Sequence, residues 1–242
     1  MDALPNYMND ELNDWFDKDT RMEAYRLMMA FINYELVEGD ILEFGVGNGK
    51  SLAMLTREYI GNINYFLWDD QNTINRRIVG FDSFEGLPTT EGHPRWVEGI
   101  CATNYEFGHP FLKLFEEYST DTILTLFKTC ELPVPIFEIG MFDETIPKVI
   151  PSMYSKAAMV HIDCDLYESA KQVLNRIEPI LQNGTLLLFD DYYCFKGDPN
   201  QGEALALKEF LAENPKWDAI PYIRYSAFCH SFIMRKKEEA AE

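Results

Sequence analysis

The 242-residue chain has few basic residues: 21 Lys and Arg stand against 40 Asp and Glu, which gives a formal net charge of −19. A nucleic-acid-binding protein ordinarily presents a basic face to the phosphates. The longest basic run here is Arg235–Lys237, which is typical of a solvated chain end. We therefore expect no nucleic-acid partner.

The sequence also lacks an apolar run of about 18 residues, the length needed to cross a bilayer. Its first residues, MDALPNYMNDEL, are acidic where a signal peptide is positively charged. The cysteines are odd in number, widely spaced and without zinc-site spacing: Cys101, Cys130, Cys164, Cys194 and Cys229. These features predict no membrane partner and a reduced, cytoplasmic setting.

What the sequence does contain is enough apolar material for a core. Hydrophobic residues make up 47% of the chain and aromatic residues 14%. A chain of this length suits one domain with a substantial core, and two full domains would be cramped. Because no linker or internal repeat is visible, we expect a single domain over residues 1–242.

Apolar segments alternate between the periods of strands and helices. The spacing predicts helices at 22–36, 51–60 and 169–181. Short apolar runs predict strands at 41–44, 78–81, 134–139, 157–162 and 185–189, and one or two antiparallel strands within 222–234. Unbroken apolar strands alternating with helices indicate a Rossmann-like, doubly wound α/β sheet, mostly parallel and with an antiparallel C-terminal strand.

Acidic residues follow four of these strands: Glu43, Asp82, Asp163 with Asp165, and Asp190 with Asp191. In a doubly wound sheet, ligands bind beyond the carboxyl ends of the strands. We therefore expect these side chains to line one crevice. Such a set of carboxylates is costly unless it binds a cation or a ligand rich in hydrogen-bond donors.

The first predicted strand runs into a glycine turn, ILEFGVGNGKS (41–51). A phosphate-binding P-loop needs glycine where Phe44 stands, and a dinucleotide motif needs glycine where Lys50 stands. What remains is an acid followed by G-x-G-x-G, which is similar to the first motif of class I methyltransferases that bind S-adenosylmethionine. Glu43 suits the ammonium of that cofactor, and Asp82 is expected to accept hydrogen bonds from its ribose hydroxyls.

Two later stretches, HIDCDLYES (161–169) and LFDDYY (188–193), supply the remaining acids. Carboxylate oxygens from Asp163, Asp190 and Asp191 suit Mg2+ better than zinc or copper. We interpret Asp165 as the general base that takes the proton of a substrate hydroxyl during methyl transfer. The alternative interpretation is ordinary turn acids and a helix N-cap. His161, inside an apolar strand, is expected to support the site rather than to bind the metal.

Taken together, these motifs resemble the macrocin O-methyltransferase (TylF-type) family of metal-dependent enzymes that methylate sugar hydroxyls. The resemblance rests on GDILEFGVGNGKS (39–51), FDSFEGLP (81–88), GMFDETIP (140–147), HIDCDLYES and LFDDYY. It implies metal ligands Asp163, Asp190 and Asp191, with Asp165 as base. The cofactor site it implies comprises Glu43, Gly45, Gly47, Gly49, Ser51, Asp82, Ser83, Met141, Phe142 and Asp163.

The resemblance also implies S-adenosylmethionine and Mg2+ as cofactors, a small-molecule hydroxyl acceptor such as a glycoside, and a homodimer or larger homo-oligomer. Residues 1–36 would form a helical N-terminal cap, and an insertion around 89–120 would complete a lid over the substrate. Two alternatives stay open: methylation of a catechol-type phenol, and a non-catalytic domain that binds S-adenosylmethionine. A nicotinamide oxidoreductase is disfavoured by Lys50.

Overall fold

A computed structural model describes residues 18–66, 75–88 and 119–238. The helices are α1 (Arg21–Tyr34), α2 (Lys50–Phe66), α3 (Thr120–Thr129), α4 (Phe142–Val149), α5 (Tyr167–Ile177) and α6 (Gly202–Glu213). The strands are β1 (Asp40–Phe44), β2 (Ile78–Asp82), β3 (Ile136–Ile139), β4 (Ala157–Ile162), β5 (Leu186–Phe189), β6 (Trp217–Arg224) and β7 (His230–Lys236). Of the lid predicted around 89–120, residues 89–118, with His93 and His109, lie outside the described residues.

The strands form a seven-stranded sheet in the order β3-β2-β1-β4-β5-β7-β6. Strands β1 to β5 pair in parallel, whereas β7 is antiparallel to both β5 and β6. This arrangement confirms the predicted Rossmann-like sheet with an antiparallel C-terminal end. The strand order reverses between β1 and β4, and open α/β sheets bind their ligands at such a switch point.

Both faces of the central strands β1, β4 and β5 are covered, which explains their unbroken apolar sequences. In β5, Leu186 and Leu188 face a core built with α1, α2 and α3. The alternate residues, Leu187 and Phe189, face a second core built with α4, α5 and α6. Successive strand side chains point to opposite faces, so a strand buried on both sides must be apolar throughout.

The observed elements differ from the predicted ones mainly in three helices that the sequence pattern did not reveal: α3, α4 and α6. Helix α4 has eight residues and contains Pro147, which usually indicates a break. Helix α5 begins at Tyr167, two residues before the predicted start, and gives way at Glu178 to a short 3-10 turn containing Pro179. Strand β6 begins at Trp217, earlier than expected.

Within residues 18–66, 75–88 and 119–238, no helix has both the length and the apolar character needed to cross a membrane.

Candidate active site

Backbone pairing carries the sheet one residue beyond the ends of β1, β4 and β5. The Gly45 N–H donates to the Phe81 carbonyl at 2.9 Å, and the Asp163 N–H donates to the Phe44 carbonyl at 2.9 Å. The Asp190 N–H donates to the Ile162 carbonyl at 3.1 Å. These three bonds bring the glycine turn and the two acidic turns to one edge of the sheet, as the sequence predicts.

The glycine turn passes so close to the end of β4 that only glycine fits at its first position. Gly45 has φ +91°, and a Cβ atom there would lie 1.8 Å from the Asp163 carbonyl oxygen. Asp82 braces the same turn, because its Oδ2 accepts the Val46 N–H at 2.7 Å and the Gly47 N–H at 2.9 Å. The ribose contact expected of Asp82 stays a prediction.

Glu43 lies beneath the turn and is fully buried. Its Oε1 accepts the Ser51 hydroxyl at 2.6 Å, and its Oε2 lies 3.7 Å from His161 Nδ1. In this position Glu43 ties the start of α2 to the end of β1. Its predicted contact with the cofactor ammonium stays a prediction.

A cavity of about 940 Å³ opens beside the glycine turn, within the size range of small-molecule sites. Most of the predicted cofactor and catalytic residues line it: Gly45, Gly47, Ser51, Asp82, Ser83, Met141, Phe142, Asp163 and Asp165. Four predicted site residues are outside this lining: Glu43, Gly49, Asp190 and Asp191. Gly49 packs on the Ile123 side chain instead. The cavity is therefore lined by residues of the glycine turn and of the turn that follows β4.

The environment of Asp163 and Asp165 disfavours the ionised form of both side chains. Burial raises the pKa of Asp163, and the negative charges of Asp190 and Asp191 raise it further. Burial also raises the pKa of Asp165, reinforced by Asp191 and Asp163. Like charges packed this closely disfavour ionisation, and a bound cation would relieve the repulsion.

Asp190 has the opposite environment. Burial opposes its charge, but His161 and Arg21 hold the pKa of Asp190 below its usual value. Arg21 Nη1 lies 3.3 Å from Asp190 Oδ1, and the Cys229 thiol donates to the same oxygen at 3.0 Å. Asp190 therefore stays ionised more readily than Asp163 or Asp165.

His161 is fully buried between two acids. Its Nε2 lies 3.8 Å from Asp190 Oδ1, and its Nδ1 lies 3.7 Å from Glu43 Oε2, which are ion-pair distances rather than hydrogen bonds. Burial lowers the pKa of His161, but Asp190 and Glu43 raise it to about 10. Among the described residues, the group whose possible ligand atoms all lie within 4.8 Å of one another is Glu43, His161 and Asp163, not the predicted set Asp163, Asp190 and Asp191.

Asp191 is held at both its side chain and its backbone. The Cys194 thiol donates to Asp191 Oδ1 at 3.0 Å. The Asp191 N–H donates to Glu203 Oε2 at 2.9 Å. These bonds fix the turn that follows β5.

Four polar residues of this region were not anticipated from the sequence: Asp19, Arg21, Lys50 and Glu203. Lys50 Nζ contacts Asp19 Oδ2 at 2.7 Å, and Asp19 also binds the Arg21 guanidinium, with Nε 3.1 Å from Oδ1. This chain of charges links the glycine turn to Asp190 through Arg21. No motif surrounds Asp19 or Arg21, although the apolar spacing of α6 could have revealed the helix that carries Glu203.

Solved methyltransferases share this architecture. The O-methyltransferase NovP aligns with a TM-score of 0.62 and 20% identity over 90% of this chain and 80% of NovP. The calicheamicin methyltransferase CalS11 gives 0.57 and 23% over 95% and 80%, respectively. An O-methyltransferase from Bacillus cereus, solved in complex with SAH, gives 0.53 and 12% over 95% and 92%. At these identities, the likeness establishes a methyltransferase fold.

A search of curated proteins found no significant match. The family model described as macrocin-O-methyltransferase (TylF) matches residues 18–214. The chain therefore belongs to the macrocin O-methyltransferase family, as its motifs suggested. It is an S-adenosylmethionine-dependent O-methyltransferase.

Proposed function

We propose that the protein transfers a methyl group from S-adenosylmethionine to a hydroxyl of a sugar or glycoside, with Mg2+ bound by the strand-end acids. The observation that carries this proposal is the convergence of the acidic turns after β4 and β5 with the glycine turn at one edge of the sheet, where Asp163 and Asp165 line the cavity. The names of similar structures support a sugar acceptor, since one CalS11 structure is described as a TDP-rhamnose 3'-O-methyltransferase.

The cofactor would bind against the glycine turn. Gly45 and Gly47 allow its close approach, while Asp82, Ser83, Met141 and Phe142 line the rest of that side. The backbone N–H groups of Val46 and Gly47 already bind Asp82, so the loop is shaped before the ligand arrives. Preorganisation of this kind lowers the entropic cost of binding.

The residues present fit a hard divalent cation. Asp163, Asp190 and Asp191 offer carboxylate oxygens, the ligands Mg2+ prefers. The mutual repulsion that raises the pKa of Asp163 would be relieved by a positive charge at this place. The bound Mg2+ would orient and acidify the acceptor hydroxyl, and the bound S-adenosylmethionine would supply an electrophilic methyl group.

Asp165 would accept the hydroxyl proton as the acceptor oxygen takes the methyl group. It lines the cavity two residues beyond Asp163, and its backbone has φ +60°, a conformation that Asp tolerates better than most residues. The raised pKa of Asp165 makes it a stronger base than an ordinary aspartate once it is ionised.

An acceptor panel tests the proposal. Labelled S-adenosylmethionine is offered with nucleotide sugars, glycosides and catechols, with and without excess EDTA. We expect methylation of a sugar hydroxyl that EDTA abolishes. Methylation of catechols alone would favour a phenol acceptor, and cofactor binding without any transfer would favour a non-catalytic domain.

The quaternary state and the cellular location of the protein are also part of the proposal. We propose a homodimer or larger homo-oligomer in the cytoplasm, with no nucleic-acid or membrane partner. Size-exclusion chromatography with light scattering measures the mass, and a monomer at micromolar concentration would contradict the expected assembly.

A further inference from the structure

Glu203 is a fully buried carboxylate beside the Asp191 turn, and the proposed function gives it no role. We infer that Glu203 is a positioning residue, which holds the Asp191 turn in the geometry that binds the divalent cation. The inference rests on the proposed metal role of Asp191. It assigns to α6 a part in building the metal site.

The need for such a residue arises where the chain leaves the sheet. The Asp190 N–H still donates to the Ile162 carbonyl of β4. The following amide, the Asp191 N–H, does not pair with the backbone of a neighbouring strand among the described residues. Glu203 Oε2 accepts that amide, the Asp191 N–H, at 2.9 Å. This partly buried N–H would lose its acceptor if the turn changed, so the bond favours one conformation of the turn.

Burying Glu203 is costly, which argues against an incidental contact. The residue is 0% exposed, and its second oxygen, Oε1, is buried without a hydrogen-bond partner among the described residues. Burial raises the pKa of Glu203, and the negative charge of Asp191 raises it further. A glutamate on the solvent-exposed face of a helix would carry no such cost. Carboxylates are rarely buried without a specific partner.

The start of α6 is shaped to deliver this side chain. Gly202 has φ +57°, and a Cβ atom there would lie 2.8 Å from Phe195 Cε2. Only glycine tolerates both the backbone conformation and the contact with Phe195 at little cost. Glu203 follows immediately, and its side chain is fully buried.

Two bonds then fix Asp191 from opposite sides. Glu203 holds its amide, and the Cys194 thiol donates to its carboxylate. Residues that orient metal ligands in this way typically contribute about 10–100-fold to metal affinity.

The test compares two conservative variants of Glu203 by calorimetric titration of Mg2+ into the SAH-bound protein. Glu203→Gln keeps an oxygen that can reach the Asp191 N–H, so Mg2+ affinity should stay within about threefold of wild type. Glu203→Asp keeps the charge but shortens the reach by one methylene, so Mg2+ affinity should fall about 10-fold or more. SAH affinity should be unchanged in both.

Phe210→Leu is the matched control, since it removes buried volume from the same helix without touching Asp191. It should lower the melting temperature and leave Mg2+ affinity as in wild type. Equal Mg2+ affinity in wild type and Glu203→Asp would overturn the inference, and so would a larger loss in Glu203→Gln than in Glu203→Asp. A wild-type protein that binds SAH but no Mg2+ would overturn the proposed metal role together with this inference.

Discussion

Replacing Gly45 with alanine should separate the glycine turn from the end of β4. The added Cβ would lie 1.8 Å from the Asp163 carbonyl oxygen, whereas real Cβ contacts essentially never fall below 3.0 Å. The two segments must therefore move apart by about 1.2 Å, the difference between those two distances. Both sides of the contact are backbone, so no side-chain rotation can relieve the overlap.

The free-energy cost has two parts. A non-glycine residue in the left-handed region costs about 1–2 kcal/mol, and the displaced backbone adds a similar amount. We expect Gly45→Ala to lower the free energy of unfolding by about 2–4 kcal/mol. Because the turn carries the Val46 and Gly47 amides, a shift near 1 Å should also cost roughly 100-fold in turnover.

The assays are thermal unfolding, calorimetric SAH binding and methyl transfer. Gly61→Ala is the control, because its Cβ meets nothing within 4 Å and it lies within helix α2. That variant should be neutral or stabilised by up to about 1 kcal/mol. Wild-type SAH affinity in Gly45→Ala would refute the assignment of this turn to the cofactor.

Three further predictions concern charged groups. Asp165→Asn should keep SAH and Mg2+ affinity and lose at least about 100-fold in turnover, because asparagine tolerates the same backbone conformation but cannot accept the proton; an unimpaired rate would contradict its role as base. Arg21→Gln should cost about 1–3 kcal/mol, and added Mg2+ should raise its melting temperature more than that of wild type, since Asp190 has lost a cationic partner; equal rises would argue against competition at Asp190. Burial opposes the ionisation of Asp19, but Arg21 and Lys50 lower its pKa from 3.8 to about 2. Because the pKa of Asp19 is lower in the folded protein than in the unfolded chain, its carboxylate stabilises the fold at a pH above the unfolded-chain pKa. This stabilisation is lost as the pH falls through about 2. The melting-temperature gap between wild type and Asp19→Asn, worth about 1 kcal/mol after solvent screening, should therefore be widest above pH 4 and close towards pH 2; a constant gap would contradict this ion pair.

Much of the sheet could be predicted because each central strand is buried on both faces. The apolar runs around Ile41, Val79, Val160 and Leu187 need no tertiary knowledge to be recognised. Their carboxyl ends then had to converge, since parallel strands end at the same edge. The acidic turns were found by this logic alone.

The supporting residues could not be found in that way. Arg21 meets Asp190 across 169 residues of sequence, and nothing in its surroundings distinguishes it from a surface arginine. Glu203 opens α6, a helix that its Ala and Leu residues could have revealed, but nothing in the sequence shows that its side chain reaches the Asp191 amide. Their roles depend on how helices pack on the sheet, which local patterns do not determine.

Glu43 illustrates the same limit within a predicted motif. The sequence places an acid at the end of β1, but its direction depends on the neighbouring strand. His161 is its register partner on β4, and Ser51 of α2 supplies a hydroxyl donor. These neighbours draw Glu43 beneath the glycine turn.

The location of the divalent ion tests the account most directly. Crystals of the SAH-bound protein grown with Mn2+, which shares the oxygen preference of Mg2+, would reveal the ion by its anomalous scattering. We expect one peak coordinated by Asp163, Asp190 and Asp191, with Asp165 beside it. A peak held by Glu43, His161 and Asp163, or no peak at the strand ends, would contradict the proposed site.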